Sequence, residues 1–278
     1  MKLFDFDGLF DKKLTRYMEE NKNKYTEKQW EDMIPTLYKK FGDTYVAKVQ
    51  CTPKEYYARM SNEELVATLS AHLEEDVPVP EFLCSEIECR GETEILLPMM
   101  QGENLEAAVY AFNLIGDKTE AYATYFSVLE ENRYDEDLRN DIVEIFKFHA
   151  DAVKEKMLDF YKKGIAKEYA LEVLSRVKER NEEIYDLLLK EFLTDENLSM
   201  KASYLAAYGD ERALPILLQR IEDQSIGFVE FQELKYAIEA LGGEYNEPRD
   251  FSADKDFLAV EVASAKASET IGKTGLTS

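Results

Sequence analysis

The chain has 278 residues, with 34 Lys and Arg against 57 Asp and Glu, for a formal net charge of −23. That balance argues against a nucleic-acid surface, which needs clustered Lys and Arg, and against docking on an anionic membrane. A hydrophobic share of 45% with 12% aromatics suffices for a packed core, so global disorder is excluded. Only 12 Gly and 7 Pro over this length call for long regular elements joined by tight connections.

At the N-terminus, Asp5 and Asp7 lie where a secretion signal needs an apolar stretch, so none is expected. No run approaches the ~18 consecutive apolar residues of a membrane helix. The 3 cysteines suit a reducing cytosol better than a disulfide scaffold, which points to a cytoplasmic protein. Cys84 and Cys89 fall off one another's helix face, and Cys51, His72 and His149 complete no zinc spacing, so neither metal nor cofactor is expected.

Helix starts are legible from Thr26 onward. Thr26–Gln29, Thr52–Glu55 and Ser61–Glu64 each fit a capping box, in which the first side chain accepts from an orphan amide and the last reaches back. Pro53 stands where a helix loses nothing by lacking an N–H. Asp135, Glu136 and Asp137 complement the positive end of a further helix. Behind them Leu138, Ile142, Ile145 and His149 recur at helical spacing, then Val153, Met157 and Phe160. Alternating strand patterns are scarce, so the expected fold is all-α. His149 falls at a helix C-terminus, where an imidazole is favoured.

Self-similarity is the stronger signal. Tyr110–Asp117 resembles Tyr204–Asp210, each a helix ending at a Gly followed by an Asp able to cap the next helix. Ala237–Gly242 repeats the first half. A period near 31 residues, by the spacing of Gly116, Gly209 and Gly242, places two degenerate copies between, Leu138–Phe148 with Ala152–Tyr161 and Tyr169–Val177 with Ile184–Phe192. Residues 103–250 thus read as an array of helix pairs. Residues 1–102, with Leu65–Leu73 and Val79–Ile87 as a further pair, continue or cap it. Residues 251–278 form a tail, with a short helix around Phe257–Ala267.

The stretch Ser203–Leu218 resembles a HEAT-like repeat, of the short type found in phycobilin-lyase-like proteins. The resemblance implies a right-handed α-solenoid but no particular activity. It further implies that second helices of successive pairs line one concave side. There Tyr122, Phe126, Tyr161 and Tyr185 supply apolar area, while Glu130, Asp159 and Asp186 supply negative charge. A solenoid groove of that composition suits another protein, a basic segment in particular. Interlayer packing is the structural alternative for the same aromatics.

Two motifs suggest chemistry. Leu3–Asp11 resembles the first motif of haloacid-dehalogenase-type phosphatases, which would make Asp5 the nucleophile and Asp7 a general acid around Mg²⁺. The family's Thr is replaced by Leu9, and helices follow where a strand-helix alternation belongs. Gly272-Lys273-Thr274 resembles the end of a phosphate loop, but the first Gly of that motif falls at Ala267. The preferred expectation is a non-enzymatic interaction module. The alternative is an enzyme, either a degenerate phosphatase through Asp5 and Asp7 or a HEAT-like lyase-type modifying enzyme.

Overall fold

The computed structural model describes residues 3–194 and 196–263, and among them no strand is present; an isolated bridge pairs Val46 with Cys51. The protein is all-helical, and the chain divides into two compact units, Met1–Arg139 and Asn140–Ser278. That division falls inside residues 103–250, the stretch expected to form one array.

The first unit starts with α1 (Phe6–Glu20), set by Asp5, whose carboxylate accepts the Gly8 amide at 2.7 Å. It continues with α2 (Glu27–Gly42), α3 (Pro53–Ala58), α4 (Asn62–Glu74), α5 (Glu81–Arg90), α6 (Leu97–Gln101), α7 (Leu105–Ile115) and α8 (Tyr122–Glu130). All three capping boxes form, on Thr26, Thr52 and Ser61, each replacing a lost backbone partner at a helix start. The core gathers Phe6, Tyr57, Leu65, Leu69, Leu83 and Met100, all nearly inaccessible. Each such aliphatic side chain contributes about 1.5–3 kcal/mol. Phe6 meets Tyr56 and Tyr57 edge-on at 5.4 and 5.7 Å, so the N-terminal aromatics pack inward as a plug of this unit. At the end of α5, the Arg90 guanidinium donates to the carbonyls of Met60 and Ala58, occupying acceptors that α3 leaves open at its end.

Around the boundary runs α9 (Glu136–Phe148), whose start is set by Asp135 accepting the Leu138 amide at 3.1 Å. The second unit continues with α10 (Ala150–Lys163), α11 (Lys167–Leu174), α12 (Glu182–Phe192), α13 (Leu198–Tyr208), α14 (Leu214–Ile221) and α15 (Phe228–Ala240). A further helical stretch covers residues 255–263. Its core holds Ile142, Met157, Phe160, Leu171, Ile184, Leu217 and Ile238. Helices α11, α13 and α15 pack in succession, while α12 packs on α13 and α14 on α15. His149 occupies the turn between α9 and α10, where its backbone amide bonds to the carbonyls of Ile145 and Phe146.

The two glycines of the internal repeat end their helices differently. Gly209 takes the left-handed conformation, φ 72° and ψ 29°, as expected. Gly116 instead pairs φ 64° with ψ −138°, a combination essentially reserved for glycine, and the chain leaves α7 extended. The next turn is alike in both: a 3₁₀ turn, Thr119–Ala121 or Glu211–Ala213, leads directly into α8 or α14. Asp210 caps its turn through the Arg212 amide, whereas the turn after Gly116 starts at Lys118 without a side-chain cap.

Long-range polar contacts have a characteristic reach. Arg90 to Met60, Lys118 to Gly91, Arg133 to Gln101, Lys147 to Glu172, Tyr161 to Glu191, Arg180 to Gly209 and Arg249 to Ile221 span between 25 and 32 positions.

Candidate functional site

In the second unit ion pairs link α12 to α10 and to the turn before α14. Lys162 of α10 pairs with Glu183 of α12 at 2.5 Å, and Arg212 pairs with Glu182 of α12 at 2.8 Å. Arg212 also clasps Asp210, with Nη2 to Oδ2 at 2.7 Å, and lies over the Tyr185 ring at 4.2 Å. The bonds from Arg212 hold the Asp210 carboxyl below the usual aspartate range.

The expected site residues divide by exposure. Tyr122 and Tyr185 retain only 9% and 6% of their surface, so both stand within the packing of α8 and α12. Phe126 and Tyr161 are half-buried, Asp159 is partly exposed, and Glu130 and Asp186 are exposed. Asp159 is engaged by Lys163 at 2.7 Å, and that bond lowers its pKa. The Tyr161 hydroxyl donates to Glu191 Oε1 at 2.5 Å. Tyr122, Phe126 and Glu130 belong to the first unit; Asp159, Tyr161, Tyr185 and Asp186 belong to the second.

Glu191 went unnoticed in the sequence. It keeps only 5% of its surface and joins three neighbours: Tyr161, Lys167 at 2.9 Å, and Lys201 at 3.8 Å. Lys201, itself 4% exposed, also donates to Thr194 Oγ1 at 2.6 Å. Burial by itself raises the Glu191 carboxyl, but the Tyr161 hydroxyl and the two ammonium groups outweigh it and leave its pKa lowered. The spacing of about 31 residues read from the sequence was the available signal, because it carries Tyr161 to the position beside Glu191.

A groove of about 510 Å³ opens between the end of α12 and α14. Its lining combines Phe192, Leu193 and Ile216 with Glu222, Asp223, Gln219 and Arg220. Leu193 is 64% exposed, just past the last residue of α12. The amide and hydroxyl of Ser225, with Arg220 beside them, keep the Asp223 carboxyl below its usual range. The lining is thus mixed, with Arg220 paired to Asp223 among its apolar side chains.

The two aspartates of the phosphatase-like motif occupy a helix start. Asp5 caps α1, and Asp7 lies in its first turn, accepting from the Tyr38 hydroxyl at 2.5 Å. Burial raises the Asp7 carboxyl, a trend that the Tyr38 bond opposes. Burial likewise pushes the Cys84 thiol up to about 11, which leaves it protonated near neutral pH. Among the described residues no group of three or more His, Cys, Asp and Glu is placed to hold a metal ion, and no helix is long and apolar enough to cross a membrane. Gly272-Lys273-Thr274 lies outside the described residues, as does the end of the helix expected at Phe257–Ala267. No family model matches the chain, nor does a curated protein or a solved structure.

Proposed function

We propose that the chain is a cytoplasmic, non-enzymatic interaction module whose helix pairs stack as right-handed HEAT-like α-solenoid repeats, and that it holds a basic segment of another protein. The reach of its polar contacts supports the repeat reading. Bonds that connect residues roughly one period apart are what nearest-neighbour stacking produces. In the second unit α11, α13 and α15 pack in succession, as a row of first helices would, and Lys162–Glu183 and Glu182–Arg212 link α12 to α10 and to the turn before α14.

The observation that carries the functional reading is the groove between α12 and α14. Leu193 leaves 64% of its surface in water beside Glu222 and Asp223, with Asp186 exposed on the same helix. In this surface Tyr185 and Tyr161 act through the helices they brace, and Leu193 and Ile216 supply the apolar contact. The reading predicts micromolar binding of a Lys- and Leu-containing peptide, with affinity falling as salt rises. Leu193→Asp is expected to weaken binding about tenfold or more while leaving the melting temperature unchanged, since the side chain is exposed. Fluorescence anisotropy against a scrambled acidic peptide measures this. Equal binding of both peptides, or indifference to Leu193→Asp, refutes it.

A further inference from the structure

A cleft of about 560 Å³ opens in the first unit, a volume within the range that holds a small organic molecule. Helix α2 contributes Pro35, Tyr38 and Lys39, α3 contributes Lys54, and α5 contributes Glu81, Phe82, Ser85 and Glu86. Pro35 lies inside α2 and has no N–H for the carbonyl of Glu31, which loosens the helix at the cleft. The apolar wall is a packed ring pair. Tyr38 and Phe82 stack in parallel, 8° apart with centroids at 4.6 Å, and the Tyr38 hydroxyl is fixed on Asp7.

The charges of this cleft come in two sets. Lys54 is committed to Asp43 through bonds of 2.8 and 2.9 Å, and Glu86 is committed to Arg90 at 2.8 Å. The Lys39 and Glu81 side chains have no hydrogen-bond or ion-pair partner among the described residues. One lies on α2 and the other on α5, so the cleft offers a free cation and a free anion on separate helices around an aromatic wall. A ligand that satisfies all three features carries a negative group, a positive group and an apolar body.

We propose that this cleft binds a small zwitterion with an apolar side chain, an α-amino acid or a dipeptide. The carboxylate faces the Lys39 ammonium, the ligand ammonium faces the Glu81 carboxylate, and the side chain lies against the half-buried Tyr38 ring, with Phe82, itself 7% exposed, stacked behind it. The Ser85 hydroxyl, on the same helix as Glu81, is available to either polar end. This site belongs to the first unit and the α12–α14 groove to the second, and they share no residue, so either one holds or fails independently of the other.

The test uses the full chain, with phenylalanine and glycyl-phenylalanine as zwitterions, phenethylamine as the probe lacking a carboxylate, and 3-phenylpropanoate as the probe lacking an ammonium. Amide shifts of α2 and α5 followed by NMR give the affinities. A zwitterion is expected to bind at least about tenfold more tightly than either single-charge probe. Lys39→Met is expected to weaken the zwitterions and 3-phenylpropanoate while sparing phenethylamine, and Glu81→Gln is expected to do the converse. Both residues are exposed, and unchanged circular dichroism separates a lost site from a lost fold. Whichever zwitterion binds more tightly identifies the ligand length. Absence of shifts for both zwitterions up to about 10 mM, equal binding of all probes, or indifference to both substitutions overturns the assignment.

Discussion

Replacing Glu191 isolates the cost of one buried charge. Its carboxylate is 5% exposed and faces Lys201, which is 4% exposed, so Glu191→Gln leaves an ammonium inside the second unit without its counter-charge. Losing one member of a buried pair costs about 3–5 kcal/mol. Lys167 adds little to that figure, because its side chain is 43% exposed and water screens it. A loss of about 3 kcal/mol lowers the melting temperature by roughly 6–12 °C for a domain of this size. The folded-state pKa of Glu191 lies below the ordinary 4.5. Its stabilising contribution is therefore complete above that value and is lost as pH falls through the folded one. The deficit of Glu191→Gln should accordingly be largest near pH 7 and should shrink on acidification. Adding Lys201→Met removes the stranded cation and is expected to recover more than half of the loss. Far-UV circular dichroism follows the transition. Fluorescence of Trp30, the single tryptophan, reports the first unit separately. A deficit under about 1 kcal/mol for Glu191→Gln, or no recovery with Lys201→Met, refutes the electrostatic account.

Tyr185→Ala opens a cavity beneath Arg212 and is expected to cost about 3 kcal/mol in urea unfolding, whereas Tyr185→Phe, which keeps the ring, costs under about 1 kcal/mol. The folded-state pKa of Asp7 is raised above the ordinary 3.8, so its charge costs increasing stability as pH rises through the folded value. Asp7→Asn, which keeps an acceptor for Tyr38, should therefore raise the melting temperature at pH 7 and leave it unchanged at about pH 3. Asp5→Ala removes the cap of α1 and is expected to cost about 1 kcal/mol, while Asp5→Asn preserves it. Neither variant is expected to alter Mg²⁺-dependent hydrolysis of a phosphate ester; a rate that falls with Asp5→Asn would revive the phosphatase alternative.

The features readable in the sequence were local. Thr26, Thr52 and Ser61 announce their helices because a cap and its partner lie three residues apart, and Gly209 ends α13 because a left-handed position favours glycine. Gly116 shows the limit of that logic, since glycine licenses more than one positive-φ conformation and only the chain beyond it selects among them. The burial of Tyr122 and Tyr185 was harder to read, because an aromatic at the edge of a helical stripe packs inward or faces water according to the neighbouring pair. Glu191 with Lys201 and Asp7 with Tyr38 depend on partners from other helices, and polar residue types carry no mark of burial until those helices are paired. Leu193 stood one residue past an apolar stripe whose other members are covered.

The reach of about 25 to 32 positions in the long-range polar bonds bears on how the chain is made. A loop of that length closes at modest entropic expense, and each added doubling costs only about 0.6 kcal/mol. In the repeat stacking proposed above, a helix pair leaving the ribosome would find its partner already outside, and assembly would proceed from the N-terminus without waiting for the last residue. Nascent chains truncated after successive pairs should gain protease resistance in steps, each newly protected segment being the pair before last.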